Sequence, residues 1–219
     1  MTFEPPNNPR LLRGGLVLID PATAAIVRVI SLQYNPDTIT RTLQVQGMGE
    51  GAARSEALRL KGPAVETFRV EAELDATDQL EHPDQNATAA SHGVAPQIAV
   101  LEALIEPRSA QLLANRARAS AGQLEIVPMQ TPLPVFVWSP DRIVPVRVTD
   151  LTVTEEAYDT RLHPIRARVT LGLRVLTVTD LGYDHRGGAL FMVALQSKEA
   201  LARLVAAPQL SAFGVERIP

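Results

Sequence analysis

The feature that most constrains this chain is a strict alternation of apolar and polar residues near its C-terminal end. Every second residue of this stretch is apolar: Ile165, Ala167, Val169, Leu171, Leu173 and Val175. The residues between them include three arginines: Arg166, Arg168 and Arg174. Successive side chains of a β-strand point to opposite faces, so the pattern predicts a long strand with one buried face and one arginine-bearing face. Such a face suits docking onto acidic groups of a neighbouring subunit better than catalysis in a pocket.

A second long strand is predicted directly before it, over residues 143–155. Its apolar positions change parity between Val148 and Leu151, which predicts a β-bulge around Thr149 and Asp150. The connection Tyr158–Pro164 is short. The two strands are therefore expected to pair as an antiparallel hairpin, the longest of the fold.

Most of the remaining periodic segments also have the pattern of strands. Strands are predicted over residues 16–20, 26–33, 38–45, 67–74 and 133–138. Residues 46–63 and 75–93 have the composition of loops, and residues 108–130 fit no pattern. Helices are predicted over residues 94–105 and after Gly187-Gly188. One side of the second helix carries Leu190, Val193, Ser197, Leu201 and Leu204. Because strands dominate and do not alternate with helices, the order favours an antiparallel sheet, closed or sandwiched, with one or two covering helices.

Composition and charge narrow the possible partners and the location. The net charge of −3 argues against nucleic acid, because phosphate binding needs a concentrated positive field. Of the 21 basic residues only Lys61 and Lys198 are lysines, and arginine is favoured at protein interfaces. The absence of cysteine excludes disulfides and thiolate metal sites. No secretory signal and no apolar run of about 18–20 residues is present, so we expect assembly in the cytoplasm without membrane insertion.

One segment could carry chemistry, the glycine-rich run Gly47–Ala52. Gly47, Gly49 and Ala52 fit the G-x-G-x-x-G/A spacing of a dinucleotide-binding loop, which would make the chain a nucleotide-dependent enzyme. The alternative is a plain glycine loop, since the preceding region is hairpin-like and not βαβ. We expect no enzyme and no cofactor here, and a generic β-rich binding module also stays open.

Two further features of the sequence are candidate sites. An acidic loop comprises Asp75, Asp78, His82 and Asp84. Its spacing fits no calcium loop, and we expect no metal site and no catalytic residue in it. Trp138 is the only tryptophan, and a lone tryptophan is typically a core or interface anchor. The candidate interface residues are therefore Arg166, Arg168, Arg174 and Trp138.

Five stretches in order resemble the tube-protein-like baseplate family of contractile injection systems, phage-tail-like machines in which a sheathed tube is assembled on a baseplate. The stretches are Leu32–Val45 with its aromatic-Asn-Pro opening, Val65–Asp78, Val94–Pro107, Pro134–Leu176 with its Phe-x-Trp and His-Pro-Ile-Arg-Ala, and Ser197–Leu204. Together they cover about residues 15–205. Longer relatives carry a C-terminal LysM domain, and we expect this chain to be a short member without one.

The resemblance implies a fold, a role and partners. The fold would be mainly β (α+β), an antiparallel tube-like β-barrel or sandwich with two flanking α-helices. The role would be that of a non-enzymatic baseplate part between the tube or tube-initiator protein, the spike or hub protein and the wedge proteins, self-associated as a hexameric ring. We expect one domain over residues 16–205, with an N-terminal arm (1–15) and a C-terminal tail (206–219).

Overall fold

The computed structural model of the chain describes residues 12–47, 58–122, 131–205 and 210–218. The strands of the described residues are β1 (Gly15–Ile19), β2 (Ile26–Ser31), β3 (Ile39–Gln44), β4 (Val65–Asp75), β5 (Leu133–Ser139), β6 (Arg142–Tyr158) and β7 (Pro164–Val175). The helices of the described residues are α1 (Thr77–Leu80), α2 (Ala87–His92), α3 (Ala95–Glu102), α4 (Ser109–Ser120), α5 (Val178–Leu181) and α6 (Arg186–Arg203). A 3₁₀ turn, Leu210–Phe213, follows them.

The strands form one seven-stranded sheet in the order β2-β1-β5-β6-β7-β4-β3. Every paired strand runs antiparallel to its neighbour, which confirms the predicted mainly antiparallel α+β class. The predicted barrel is wrong, because β2 and β3 are the two ends of the strand order and do not pair with each other. Two flanking helices were predicted, whereas the described part of the chain forms six α-helices.

The sheet folds back on itself through the long strand β6. Residues 142–145 of β6 pair with β5, and residues from Val146 onward pair with β7, so β6 joins two half-sheets. The ring centroids of Phe68 in β4 and Phe136 in β5 are 5.3 Å apart, although β6 and β7 lie between these strands in the sheet order. The two half-sheets therefore share one core, as the sandwich alternative expected.

The hairpin of β6 and β7 matches the prediction in its antiparallel pairing and its bulge, except that residues 143–145 pair with β5 and not with β7. It extends from the pair Val146–Val175 to the pair Tyr158–Pro164, and its register shifts between Val148 and Asp150, where the bulge was expected. The alternate residues of β7 from Ala167 to Val175 are buried, while Arg166 and Arg168 are exposed. The sequence alternation is therefore the alternation of an inner, core-facing side and an outer side.

The helices were predicted less well than the strands. In α6 the buried side chains are Phe191 and Ala194, whereas Val193 and Leu201 of the predicted apolar side are exposed. Short helices α1 and α2 occupy the region that was expected to be a loop, and α4 was not predicted. The sequence of α4 is as amphipathic as that of α6, but no residue of α4 is buried.

Candidate interaction surface

The three arginines of the sequence pattern lie on the outer side of β7, at the centre of a polar sheet surface. We call this surface the outer face; it is made of the side chains of β3, β4, β7 and β6 that point away from the core. Antiparallel pairing aligns its residues in cross-strand rows, since directly opposed residues share a face. The rows that contain the three arginines are Asp75–Arg166–Glu156, Glu73–Arg168–Thr154 and Thr67–Arg174–Arg147.

Two of these arginines are matched by carboxylates of the neighbouring strands. The Arg166 Nε donates to Asp75 Oδ2 at 3.0 Å. Arg168 lies 4.0 Å from a Glu73 carboxylate oxygen and 3.9 Å from one of Glu156, so it is shared between two longer ion pairs. These pairs are half-exposed and contribute about 0–1 kcal/mol each to the free energy of folding. They neutralise much of the arginine charge within the chain itself.

The third arginine is joined to the start of a helix. Arg174 Nη2 donates to Asp180 Oδ1 at 2.8 Å, and the other carboxylate oxygen of Asp180 accepts from the backbone N–H of Thr177 at 2.9 Å. This is the capping box that begins α5. Burial tends to raise the pKa of Asp180, but the Thr177 N–H and the Arg174 guanidinium outweigh it and hold that pKa below its ordinary value.

Asp75 connects the outer face to the segment that follows β4. The hydroxyl and N–H of Thr77 donate to Asp75 Oδ1, and Gln33 bonds both the N–H and the carbonyl of Asp75 through its side-chain amide. The Thr77 hydroxyl is the main cause of a lowered pKa for Asp75; the Thr77 N–H and Arg166 add to it, against a smaller effect of burial. The carboxylate of Asp75 is thus fixed in its charged form.

Two arginines that the sequence reading missed share this face. Arg147 stands directly opposite Arg174. Arg69 stands opposite Gly172 in the next row of the same face, two residues along both β4 and β7. Both are exposed, and neither forms an ion pair with any residue that the structure describes. Each sits at an outward position of an alternating strand, so the register of β4 and β6 against β7 would have revealed them.

An acidic cleft opens at the opposite corner of the outer face, beside β3. Its volume is 360 Å³, and its lining includes Tyr34, Asp37, Glu71, Glu73 and Arg168. Among the described residues, neither Asp37 nor Glu71 has an ion-pair partner. Carboxylates therefore outnumber cations here, and the half-exposed ring of Tyr34 forms part of the wall. A cationic side chain is the chemistry that this cleft fits.

Trp138, the remaining candidate interface residue, packs within the chain. Its ring is stacked on Phe136 with centroids 6.2 Å apart, and it covers Gly14, where a β-carbon would meet the indole. Asn35 holds the same segment by accepting from the Gly14 N–H and donating to the Leu12 carbonyl. In the described residues Trp138 therefore anchors the entry to β1.

The edge strand β2 forms a second candidate surface. One cross-strand row is Ile26–Ile19–Leu133 and another is Val29–Val17–Val135. In the first row the exposed fraction rises from 6% at Leu133 to 67% at Ile26, and in the second from 4% at Val135 to 63% at Val29. In both apolar rows the residue on β5 is therefore packed in a buried cluster, and the residue on β2, at the edge of the sheet, is exposed.

A buried ion cluster ties α6 to the sheet. Glu66 of β4 is 4% exposed, and its two carboxylate oxygens each lie 2.5 Å from a cation, Arg41 Nε of β3 and Lys198 Nζ of α6. Lys198 is one of the two lysines of the chain. Its length lets the ammonium reach the carboxylate from the helix, so the cluster fixes α6 against β3 and β4.

The structure bears only in part on the nucleotide alternative. Gly47 forms an isolated bridge with Leu60, and residues 48–57, which hold the rest of the Gly47–Ala52 loop, lie outside the described residues. The described strands pair only antiparallel, so they contain no parallel βαβ unit of the kind that a dinucleotide fold uses. Within the described ranges no group of three His, Asp or Glu residues is placed to hold a metal ion. Nor is any described helix long and apolar enough to cross a membrane.

Comparison with models of known protein families finds no match, and comparison with curated proteins finds none. Among solved structures, the chain is similar to a chain in the tail of an empty GTA particle with C6 symmetry. The two share 11% identity and a TM-score of 0.28, and the match covers 74% of this chain and 90% of that one. A TM-score this low carries no argument about function, and none is drawn from it.

Proposed function

We propose that the chain is a structural, non-enzymatic component of the baseplate of a contractile injection system. In this role it adapts the inner tube or tube initiator to the spike hub and the wedges, as a cytoplasmically assembled ring of six copies. The proposal is supported by the five stretches that resemble the tube-protein-like baseplate family. These stretches coincide with the β2–β3 connection and β3, with β4, with α3, with the β5–β7 strands and with α6.

The observation that carries the proposal is that the edge strand β2 exposes apolar side chains. Natural sheets protect their edge strands with charge, proline or covering segments, because a bare edge pairs with other chains. Here the exposed residues of the edge strand are mostly apolar, with Arg28 as its one charge, and Ile26 and Val29 are the ends of two apolar rows. A strand of a neighbouring subunit would extend both rows and bury these side chains, which favours assembly through the sheet edge.

The opposite edge supplies a surface for the same kind of contact. β3 is the other end of the strand order, so in the described part of the chain each copy has two different edge strands with no further strand beside them. A contact between two different surfaces is heterologous, and repeated heterologous contacts close into a ring when the rotation permits.

Arg166, Arg168 and Arg174 are proposed as further contacts to acidic groups of a neighbouring baseplate subunit. In that contact they would exchange their carboxylate partners within the chain for those of the neighbour.

Incorporation into particles tests the proposal. Val29→Lys places a charge on the edge of β2, and Val193→Lys places the same charge on α6, where the valine is equally exposed at 63%. Both variants should fold and melt like the wild type, because neither valine is buried. In cells that make the contractile particle, the Val193→Lys chain should co-purify with sheath, tube and spike proteins, and the Val29→Lys chain should be lost. Equal incorporation of the two variants, or absence of the wild-type chain from such particles, would overturn the proposal.

A further inference from the structure

The outer face has a charge pattern that the edge contacts do not use. At the corner beside β3 it presents the acidic cleft, in which Asp37 and Glu71 are unmatched. At the corner of β6 and β7 it presents Arg147, which lies beside Arg174 and is also unmatched in the described residues. One face of one chain therefore carries an unneutralised anion and an unneutralised cation at diagonal corners.

We propose that two copies of the chain pair through their outer faces, with Arg147 of each copy entering the acidic cleft of the other. A two-fold axis lying in the plane of the contact exchanges the two diagonal corners, so that each arginine stands over a cleft. This contact is isologous, since both copies use the same surface. It involves a face and not an edge, so it does not use the β2 edge of the proposed ring, but it covers the face that carries Arg166, Arg168 and Arg174.

The middle of the outer face would form the rest of the contact. Between the two corners lies the row Glu71–Thr170–Thr152, and next to it the row Arg69–Gly172–Asp150. Thr170 and Thr152 have short side chains, and the Asp150 carboxylate fills the space over Gly172, so the contact would also include Asp150 and the arginines of β7. Arg69, next to Glu71 on the outward side of β4, adds an exposed cation to this part of the face.

The cleft has the chemistry of an arginine site. Asp37 and Glu71 offer carboxylate oxygens, which take a guanidinium through paired, charge-assisted hydrogen bonds. The ring of Tyr34 offers a face on which the planar guanidinium can stack. The volume of 360 Å³ leaves room for the whole side chain, and the nearly lysine-free composition makes arginine the cation that a second copy brings.

The association state of the purified chain tests this pairing. Sedimentation is measured on the wild type and on the Val29→Lys variant, which removes association through the β2 edge. Both should contain a dimer at about 0.05 M salt that dissociates at about 0.5 M salt, because exposed charge pairs are screened. R147E and E71R should each weaken the dimer by at least about tenfold, and the charge swap R147E/E71R should restore it. R116E, on the exposed surface of α4, is the control that leaves the dimer unchanged.

The outcomes separate this proposal from the proposed ring. A Val29→Lys chain that is monomeric at low salt, a dimer insensitive to R147E, or a swap that fails to restore pairing would each overturn face-to-face pairing. None of these results bears on incorporation through the β2 edge. Thermal unfolding checks that each variant is folded, and R147Q with E71Q, which only remove charge, replace any variant that is not; both should weaken the dimer.

Discussion

The side chain of Asp150 lies over the α-carbon of Gly172, in the space that a side chain at position 172 would fill. The two residues are paired across β6 and β7 at the bulge, and Asp150 also accepts a hydrogen bond from the Thr149 hydroxyl at 2.7 Å. The glycine in an otherwise strong strand pattern therefore has a physical reason. The bulge turns an extra residue toward β7, and only glycine leaves room for it.

Gly172→Ala should lower the free energy of unfolding by about 0.5–1.5 kcal/mol, because the added β-carbon forces the exposed side chains of Asp150 and Thr149 into other rotamers. In a strand without this overlap, alanine would instead stabilise slightly by restricting the unfolded chain. Denaturant unfolding of G172A, D150A and the double variant measures the coupling between the two sites. The double variant should lose less than the sum of the two single losses, and strict additivity would contradict the overlap.

Gly93 should be still less tolerant of substitution. It ends α2 with a φ of 56°, and a β-carbon there would collide with the backbone carbonyl of Pro164, which already accepts a hydrogen bond from Val94 N–H. Gly93→Ala should therefore cost more than about 2 kcal/mol. Gly122→Ala is the matched control, because its φ is 79° but no atom of the described residues lies within 4 Å of its β-carbon position. It should cost only about 1 kcal/mol, and equal losses in thermal unfolding would count against the Pro164 contact.

Glu66→Gln should destabilise the fold by about 1.5–3 kcal/mol, since it weakens two charge-assisted hydrogen bonds to Arg41 and Lys198 at a buried position. The two cations keep access to water, with a third of each side chain exposed, which limits the loss. Glu71→Gln, on the exposed side of the same strand, should change stability by no more than about 0.5 kcal/mol. Similar urea midpoints for the two variants would show that the cluster around Glu66 contributes little.

The stability of the chain should decrease in acid, and Asp75 should account for part of the decrease. Its pKa is lower in the folded chain than the ordinary value of 3.8, so folding favours the carboxylate. The stabilisation is present above pH of about 4 and is lost as the pH falls through the folded-state pKa. Asp75→Asn should therefore melt below the wild type at about pH 7, with a gap that narrows toward about pH 3. A gap of constant size would contradict this, and Asp141→Asn, at an exposed turn, is the comparison variant.

The sequence was sufficient to predict the strands and their pairing where one face is buried. The β6–β7 hairpin and its bulge follow from alternation and parity alone, because a one-residue slip would move every apolar side chain to the wrong face. The sequence was not sufficient to predict whether the sheet closes into a barrel, because pairing of β2 with β3 depends on the curvature of the whole sheet. Helix α4 was missed although its sequence is as amphipathic as that of α6, and no residue in it is buried.

The candidate surface was likewise predictable from the sequence only in part. The outward direction of Arg166, Arg168 and Arg174 was predictable from the period of β7. Their partners Asp75, Glu73 and Asp180 were not, because those contacts depend on the register of β4 and on the position of α5. Arg69 and Arg147 join the same face only through cross-strand pairing. That they are unmatched depends on the positions of all the described carboxylates, which a single sequence does not give.

An aspartate should abolish folding on the inner side of the β6–β7 hairpin and change the stability little on its outer side. Val169 on the inner side has 0% of its surface exposed, so Val169→Asp would bury an unpaired carboxylate at a cost of several kcal/mol. That is a large share of a typical stability of about 5–15 kcal/mol, and the variant should fail to fold. Thr154→Asp places the same group on the outer side of β6, directly opposite Arg168, where it gains a cationic neighbour and stays in water. It should melt within a few degrees of the wild type. Soluble Val169→Asp protein with an unshifted melting temperature would mean that the inner side of β7 is not the core.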